Sequence, residues 1–106
     1  MDANKRKRLG AAGWKIGNTA GFIGLSPEES ALVDMRVALS RTLRERRVAA
    51  GLTQTELATQ LGSSQSRIAK LEAGDPSVSL DLLIRALLVV GASRKEVAAA
   101  LARRVA

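Results

Sequence analysis

Apolar side chains recur at helical spacing through most of the chain, and no strand-like alternation of comparable strength appears. Over residues 27–50 the apolar positions lie three or four residues apart, which is typical of the inward face of an α-helix. They are Leu32, Met35, Leu39 and Leu43. Ser26 and Glu29 have the spacing of a capping box around Pro27, and Gly51 favours a left-handed stop. The pattern predicts one long first helix.

Two short helices are predicted next, on either side of a tight turn. Thr53 and Glu56 form a second capping box, and the helix that follows them stops at Gly62. Ser64 caps a third helix that ends near Gly74. The side chains expected to face inward are Leu57, Ala58, Leu61, Ile68 and Leu71. This is the layout of a helix-turn-helix, whose second helix enters the major groove of DNA.

Two further helices complete the pattern. After a turn, Ser79 caps a helix over Leu80 to Val90 that is apolar almost all round, so we expect it at the centre of the core. Ser93 and Glu96 form a third capping box and open a last helix. Its apolar stripe either completes the core or pairs with a second copy of the chain. The stripe contains Ala98, Leu101, Ala102 and Val105.

The predicted fold is therefore all-α, with five helices and a long first helix. A chain of 106 residues is enough for one small domain with an extension. We place a basic, glycine-rich N-terminal extension at residues 1–25 and a helix-turn-helix domain at residues 26–106.

Composition excludes several kinds of chemistry. The chain contains no cysteine and no histidine, which excludes disulfides and the usual zinc sites. No nucleophile motif or phosphate-binding loop stands in a suitable context. We therefore predict no enzyme activity, no cofactor and no metal. No apolar run approaches the roughly 20 residues that a membrane span needs, and the absence of cysteine fits a cytoplasmic protein.

The net charge of +7 favours an anionic partner such as nucleic acid, but the charge is uneven. Residues 52–78, which contain the two helices of the motif, carry two basic and three acidic side chains. Attraction to phosphate must then come from flanking arginines and helix N-termini. The run Lys5-Arg6-Lys7-Arg8 is either a DNA-binding arm or a solvated tail.

The motif itself has a family likeness. Residues 51–74 carry Leu-Thr-Gln, Glu-Leu-Ala, Gly-x-Ser-Gln-x-x-Ile and Leu-Glu-x-Gly in order. This motif resembles the helix-turn-helix of the Xre/Cro/phage-repressor group, and the likeness extends over about residues 41–101. The resemblance implies a lambda-repressor-like domain that binds double-stranded DNA. A domain this small usually binds as a homodimer, so the expected target is a palindromic operator.

Side chains on the second helix of the motif have the chemistry to read bases. Glutamine can bond adenine bidentately, and lysine or arginine can reach guanine or phosphate. We predict that Gln65, Ser66 and Lys70 contact base edges, as the family's usage at the matching positions implies. Arg67 serves either a base or the backbone.

A second set of polar residues is placed to hold the DNA backbone. It comprises Thr53, Gln54, Ser63 and Ser64. Gln54 begins the first helix of the motif, where backbone N–H groups favour an anion, and the family uses the matching glutamine as a phosphate clamp. Thr53 and Gln54 also serve the helix cap. Relatives often carry basic or amide residues just after the second helix, but this chain has Ala73, Asp75 and Pro76 there.

Arg47 and Glu72 match a pair that is partly buried in the phage-repressor relatives. The resemblance implies a structural ion pair near the phosphate surface, in which Arg46 or Arg44 are the alternatives to Arg47.

The N-terminal extension contains the only two aromatic residues. Its large apolar side chains are Trp14, Ile16, Phe22 and Ile23. They either fold back on the core or contact a partner. The extension and long helix resemble HigA-type antitoxins, which repress their own operon and neutralise a ribonuclease toxin. Solitary Xre-family regulators share this architecture, so a toxin partner stays one of two alternatives.

Overall fold

The computed structural model describes residues 24–103, and this part of the chain is helical without a strand. Its helices are α1 (Pro27–Ala49), α2 (Gln54–Leu61), α3 (Gln65–Glu72), α4 (Leu80–Val89) and α5 (Arg94–Ala102). The predicted all-α fold with five helices and a long first helix is confirmed. The predictions for Lys5 to Arg8, Trp14, Ile16, Phe22, Ile23 and Val105 lie outside the described residues.

The helices begin where the capping residues predict. At α2 the Glu56 amide donates to Thr53 Oγ1 (3.0 Å), and the Thr53 amide donates to Glu56 Oε1 (2.8 Å). Equivalent reciprocal pairs join Ser26 to Glu29 and Ser93 to Glu96. These side chains satisfy amides that have no partner within the helix.

The contacts divide the chain within α1, so residues 24–33 and 34–103 are described separately. In the first part the helical spacing suggested that Leu32 faces a core. Leu32 is instead exposed, as is its neighbour Val33. No described residue of this part is buried, so α1 begins as a capped helix whose large apolar side chains, Leu32 and Val33, are exposed.

In the second part, one core joins all five helices. Its fully buried large side chains are Leu39, Leu43, Leu57, Ile68, Leu71, Leu83 and Leu87. Each of α1 to α4 therefore contributes an apolar side chain that is removed from water, and α5 adds Val97 and Ala100. Burying such a side chain stabilises the fold by about 1.5–3 kcal/mol.

One expectation about the core is corrected, and one of two alternatives is excluded. Helix α4 buries only one face, because Leu88 is 48% exposed and Val89 is 40% exposed. On α5 the stripe containing Ala98 and Leu101 is exposed and does not complete the core of this chain. The buried face of α4 contains Leu83, Ala86 and Leu87, and that of α5 contains Val97 and Ala100. No helix in residues 24–103 is long and apolar enough to cross a membrane.

Candidate nucleic-acid interface

Helices α2 and α3 meet across a short turn whose geometry depends on Gly62. Gly62 has a φ of 65°, in the left-handed region that favours glycine. The following amide, of Ser63, donates to Ala58 O at 2.8 Å. This bond closes the end of α2 and turns the chain sharply into α3. The small side chain of Ala58 is buried at this corner, so the two helices can approach closely.

The turn and the core together hold α3 with one face outward. Ile68 and Leu71 are completely buried against the core. The predicted base-reading residues Gln65, Ser66 and Lys70 are all exposed, and so is Arg67. Serine at position 64 caps the helix, since Ser64 Oγ accepts from the Arg67 amide at 3.2 Å. The structure therefore presents the four side chains on the surface of a helix whose other face is buried. Their contacts with bases stay a prediction.

A chain of hydrogen bonds runs beside α3 and holds the first of these residues. Gln65 Nε2 donates to Gln54 Oε1 at 2.6 Å. Gln54 Nε2 in turn donates to Glu72 Oε1 at 3.1 Å. The Glu72 carboxylate accepts two further bonds from Arg47, from Nε at 2.5 Å and from Nη2 at 3.1 Å. The series links the beginning of α3 to its end by way of the beginning of α2.

The ion pair of Arg47 and Glu72 anchors this series. Their side chains are only 12% and 5% exposed. Arg47 Nη1 also donates to Leu52 O at 2.7 Å, so the guanidinium joins α1, the α1–α2 turn and α3. Its hydrogen bonds with Glu72 raise the pKa of Arg47 above its ordinary value, against the opposing effect of burial. A buried pair of this kind mainly fixes geometry, and removal of one partner costs roughly 3–5 kcal/mol.

The alternative arginines lie elsewhere. Arg46 forms an ion pair with Glu96 on α5, and both side chains are substantially exposed. Two hydrogen bonds lower the pKa of Glu96: the bond from the Ser93 amide has the larger effect, and the bond from Arg46 has the next largest. Arg44 is exposed. Successive residues of a helix point about 100° apart, and this is why Arg46 and Arg47 reach different helices.

Two of the predicted phosphate-binding hydroxyls are exposed and already hold helix caps. Thr53 Oγ1 accepts from the Glu56 amide, and Ser64 Oγ accepts from the Arg67 amide. A hydroxyl that accepts through a lone pair still carries a proton to donate. Capping and donation to a phosphate oxygen are therefore compatible for both Thr53 and Ser64.

Ser63 is placed differently from the prediction. Its Oγ is covered from solvent and has no hydrogen-bond partner in the part of the chain that the structure describes. Its amide also points inward, because it completes the cap of α2 on Ala58 O. As placed, the Ser63 hydroxyl is unavailable to a phosphate. The position was predicted from a polar residue type in a turn, which does not distinguish a side chain facing solvent from one facing the corner between two helices.

Other residues hold the segment after α3 in place, and no local sequence pattern predicts their contacts. Arg36 on α1 donates from Nη1 to Val78 O at 2.7 Å and so ties down the segment after α3. The two residues are 42 positions apart, and no local pattern connects them. In the same segment Asp75 Oδ1 accepts from the Ser77 amide at 2.8 Å. This bond, with smaller contributions from Lys70 and Arg36, lowers the pKa of Asp75.

Comparison with known proteins gives one match. Residues 38–100 match the family described as a helix-turn-helix domain. The matched range begins within α1 and continues through α2, α3 and α4 to Ala100 in α5. No curated protein and no solved structure matches the chain significantly.

Proposed function

The chain belongs to the helix-turn-helix domain family, and we propose that it is a sequence-specific DNA-binding transcriptional regulator. The observation that carries the proposal is the outward face of α3. It presents Gln65, Ser66 and Lys70 to solvent on a helix whose other face is fixed in the core. A helix fits the major groove of DNA, where each base pair presents a distinct set of donors and acceptors.

Among these side chains, Gln65 has its orientation fixed by a hydrogen bond within the protein. Its bond to Gln54 holds the amide in one orientation before DNA arrives. Fixing a glutamine in advance reduces the rotamer entropy that binding must remove. Gln65 retains one N–H and its carbonyl oxygen for a base edge, the pair of groups that recognises adenine. Ser66 and Lys70 lie on the same surface and supply a hydroxyl and a cation.

The backbone of the DNA is held by the beginnings of the two helices. Thr53 and Ser64 can each donate a hydroxyl proton to a phosphate oxygen while they cap their helices. In the described residues, the Gln54 and Thr55 amides at the start of α2 have no hydrogen-bond partner. Phosphate contacts fix the position and register of α3 in the groove, while the base contacts supply the specificity.

Regulation in this proposal is repression by a homodimer in the cytoplasm. One copy reads one half-site, and two copies related by two-fold symmetry read half-sites about 34 Å apart in a palindromic operator. The exposed apolar residues of α5, including Ala98 and Leu101, supply one candidate dimer face; the long α1 is the other. Occupation of an operator that overlaps a promoter excludes the polymerase.

The test begins with selection of duplexes from a randomised pool by the full chain. Binding of the selected duplex and of a scrambled version is then compared for wild type and for the double variant Gln65→Ala/Lys70→Ala. Each lost base contact should reduce discrimination by about 1–3 kcal/mol. A matched control is Gln60→Ala/Lys95→Ala, which removes the same side-chain types from exposed positions on α2 and α5. Specific readout is refuted if the first variant discriminates as well as the control does.

We further propose that this regulator is the antitoxin of a type II toxin–antitoxin operon. The support is the likeness of the N-terminal extension and the long first helix to HigA-type antitoxins. In that role the chain represses its own promoter, and Trp14, Ile16, Phe22 and Ile23 contact a ribonuclease toxin. The alternative is a solitary Xre-family regulator without a toxin.

Co-expression separates these two roles. The reading frame next to this one on the same transcript is expressed alone and then together with the chain. Inhibition of growth by the neighbour, relieved by the full chain, supports the antitoxin. A harmless neighbour refutes it and leaves the solitary regulator. Repeating the rescue without residues 1–25 tests the apolar side chains, because unchanged rescue would exclude them from the interface.

A further inference from the structure

The arginines near the end of α1 are not equivalent. Arg46 is paired with Glu96, and Arg47 is paired with Glu72. Arg44 is exposed and has no ion-pair partner in the described part of the chain. An unpaired guanidinium on the surface can bind an external anion without first giving up a carboxylate.

Arg44 lies on the side of α1 that meets the end of α3. Three residues later, Arg47 donates to Glu72, the last residue of α3. Four residues earlier, Ser40 Oγ lies 3.7 Å from the point where a Cβ on Gly74 would stand. Residues three and four apart on a helix are neighbours, about 5–6 Å between Cβ atoms. Arg44 is therefore flanked by a contact to the last residue of α3 and by a close approach to Gly74, two residues after it.

Arg44 lies next to the end of the hydrogen-bonded series beside the recognition helix. The series begins at Gln65, passes through Gln54 and reaches Glu72 and Arg47. It follows one side of α3 from its first residue to its last. A helix seated in the major groove has a phosphate backbone on each side, because the groove is only about 12 Å wide. In the proposed complex, the backbone on the side of Gln54 is also the one on the side of Arg44.

Few basic side chains lie on α2 or near the C-terminal end of α3. Helix α2 has no basic residue, and Lys70 of α3 has Asp75 nearby. Ala73, the residue after α3, has no polar side chain. The segment that contains the reading helices thus offers little attraction to phosphate on the side of α3 where the series ends.

We propose that Arg44 binds a phosphate of the DNA backbone beside the C-terminal end of α3 and replaces the basic residue that is missing just after this helix. The inference rests on the proposed DNA-binding function and adds a contact from outside the two helices of the motif. It also assigns Arg44 a role in affinity without a role in sequence choice, because phosphates carry no base identity.

The test compares Arg44→Gln with wild type on the selected duplex and on its scrambled version, over a range of NaCl concentrations. Loss of one phosphate contact should reduce the slope of log affinity against log salt by about 0.9. Between about 50 and 200 mM NaCl, the factor by which affinity falls should then be about 3.5-fold smaller for the variant than for wild type. Both duplexes should weaken by the same factor.

Two further variants exclude simpler explanations. Arg94→Gln removes the same charge from an exposed position on α5 and should leave the slope unchanged. Arg44→Lys keeps the cation and should restore most of the slope. Thermal melting of each variant checks that the fold is intact, as expected for exposed positions.

The outcomes decide the two proposals independently. A wild-type slope for Arg44→Gln, or an equal loss of slope for Arg94→Gln, overturns the role of Arg44 even when the selected duplex is preferred. If the proposed function is wrong, the result is different: wild type itself does not bind the selected duplex more tightly than the scrambled one. A reduced slope that is confined to the selected duplex also overturns the inference, because it would make Arg44 a base-reading residue.

Discussion

Replacing Glu72 with glutamine removes the negative charge that Arg47 contacts inside the protein. The two side chains are 12% and 5% exposed, so water screens little of the interaction. Removal of one partner from a buried pair costs roughly 3–5 kcal/mol. We expect the lower end, about 3 kcal/mol, because the glutamine oxygen can still accept from Arg47. For a domain of this size that corresponds to a fall in Tm of about 12–24 °C.

The assay is thermal unfolding followed by circular dichroism, with Glu96→Gln as the matched control. Glu96 also pairs with an arginine of α1, but this pair is substantially exposed, and exposed pairs contribute little to stability. The control should therefore melt close to wild type. If the two variants lower Tm equally, or if Glu72→Gln lowers it by less than about 4 °C, the pair of Arg47 and Glu72 does not anchor the fold.

A double variant separates stability from recognition. Arg47→Met together with Glu72→Leu replaces the buried pair with apolar side chains, a change that is often neutral or stabilising. This protein should fold, but Gln54 loses its acceptor on Glu72. We therefore expect weaker discrimination between the selected and scrambled duplexes at nearly unchanged Tm. Full discrimination in a well-folded double variant would show that the buried pair is irrelevant to base reading.

Three more outcomes follow from individual contacts. Gln54→Ala should lower affinity for the selected duplex in a binding titration, because Gln65 loses its acceptor, whereas Gln60→Ala should not. The lowered pKa of Glu96 means that its bonds to the Ser93 amide and Arg46 stabilise the fold above the ordinary carboxyl pKa. This stabilisation is lost as pH falls through the lowered value, so Glu96→Gln should flatten the acid limb of a plot of Tm against pH. Ser63→Ala should leave stability unchanged or raise it in urea unfolding, since it removes a covered, unpaired hydroxyl; a clear loss would contradict this.

Local features were predictable because their causes lie within a few residues. A capping side chain acts on an amide three positions away, so Thr53 with Glu56 and Ser93 with Glu96 could be read directly. The outward position of Gln65 also follows from local spacing, once Ile68 is assigned to the core. Helix boundaries and the face of α3 therefore required no knowledge of the tertiary fold.

Burial at the edges of the domain was not predictable in the same way. The spacing of Leu32 and the apolar character of Leu88 fit a helix face, but neither reports whether another element lies opposite. The bond of Arg36 to Val78 O similarly joins residues that are distant in sequence. Such features depend on which surfaces are left over after packing, and that information is spread over the whole chain.

The distribution of charge and hydrogen bonds suggests how affinity and specificity are divided in this protein. Non-specific attraction to DNA arises from cations near phosphates. Residues 52–78 carry more acidic than basic side chains, so the reading unit by itself contributes little of it. Specific contacts depend on the orientation of Gln65, which is set by the series that ends at Arg47. Substitution of an exposed cation of α1 outside this series should then weaken the affinity for every duplex by a similar factor. Substitution of a residue within the series should instead change the ratio of the affinities for the selected and scrambled duplexes.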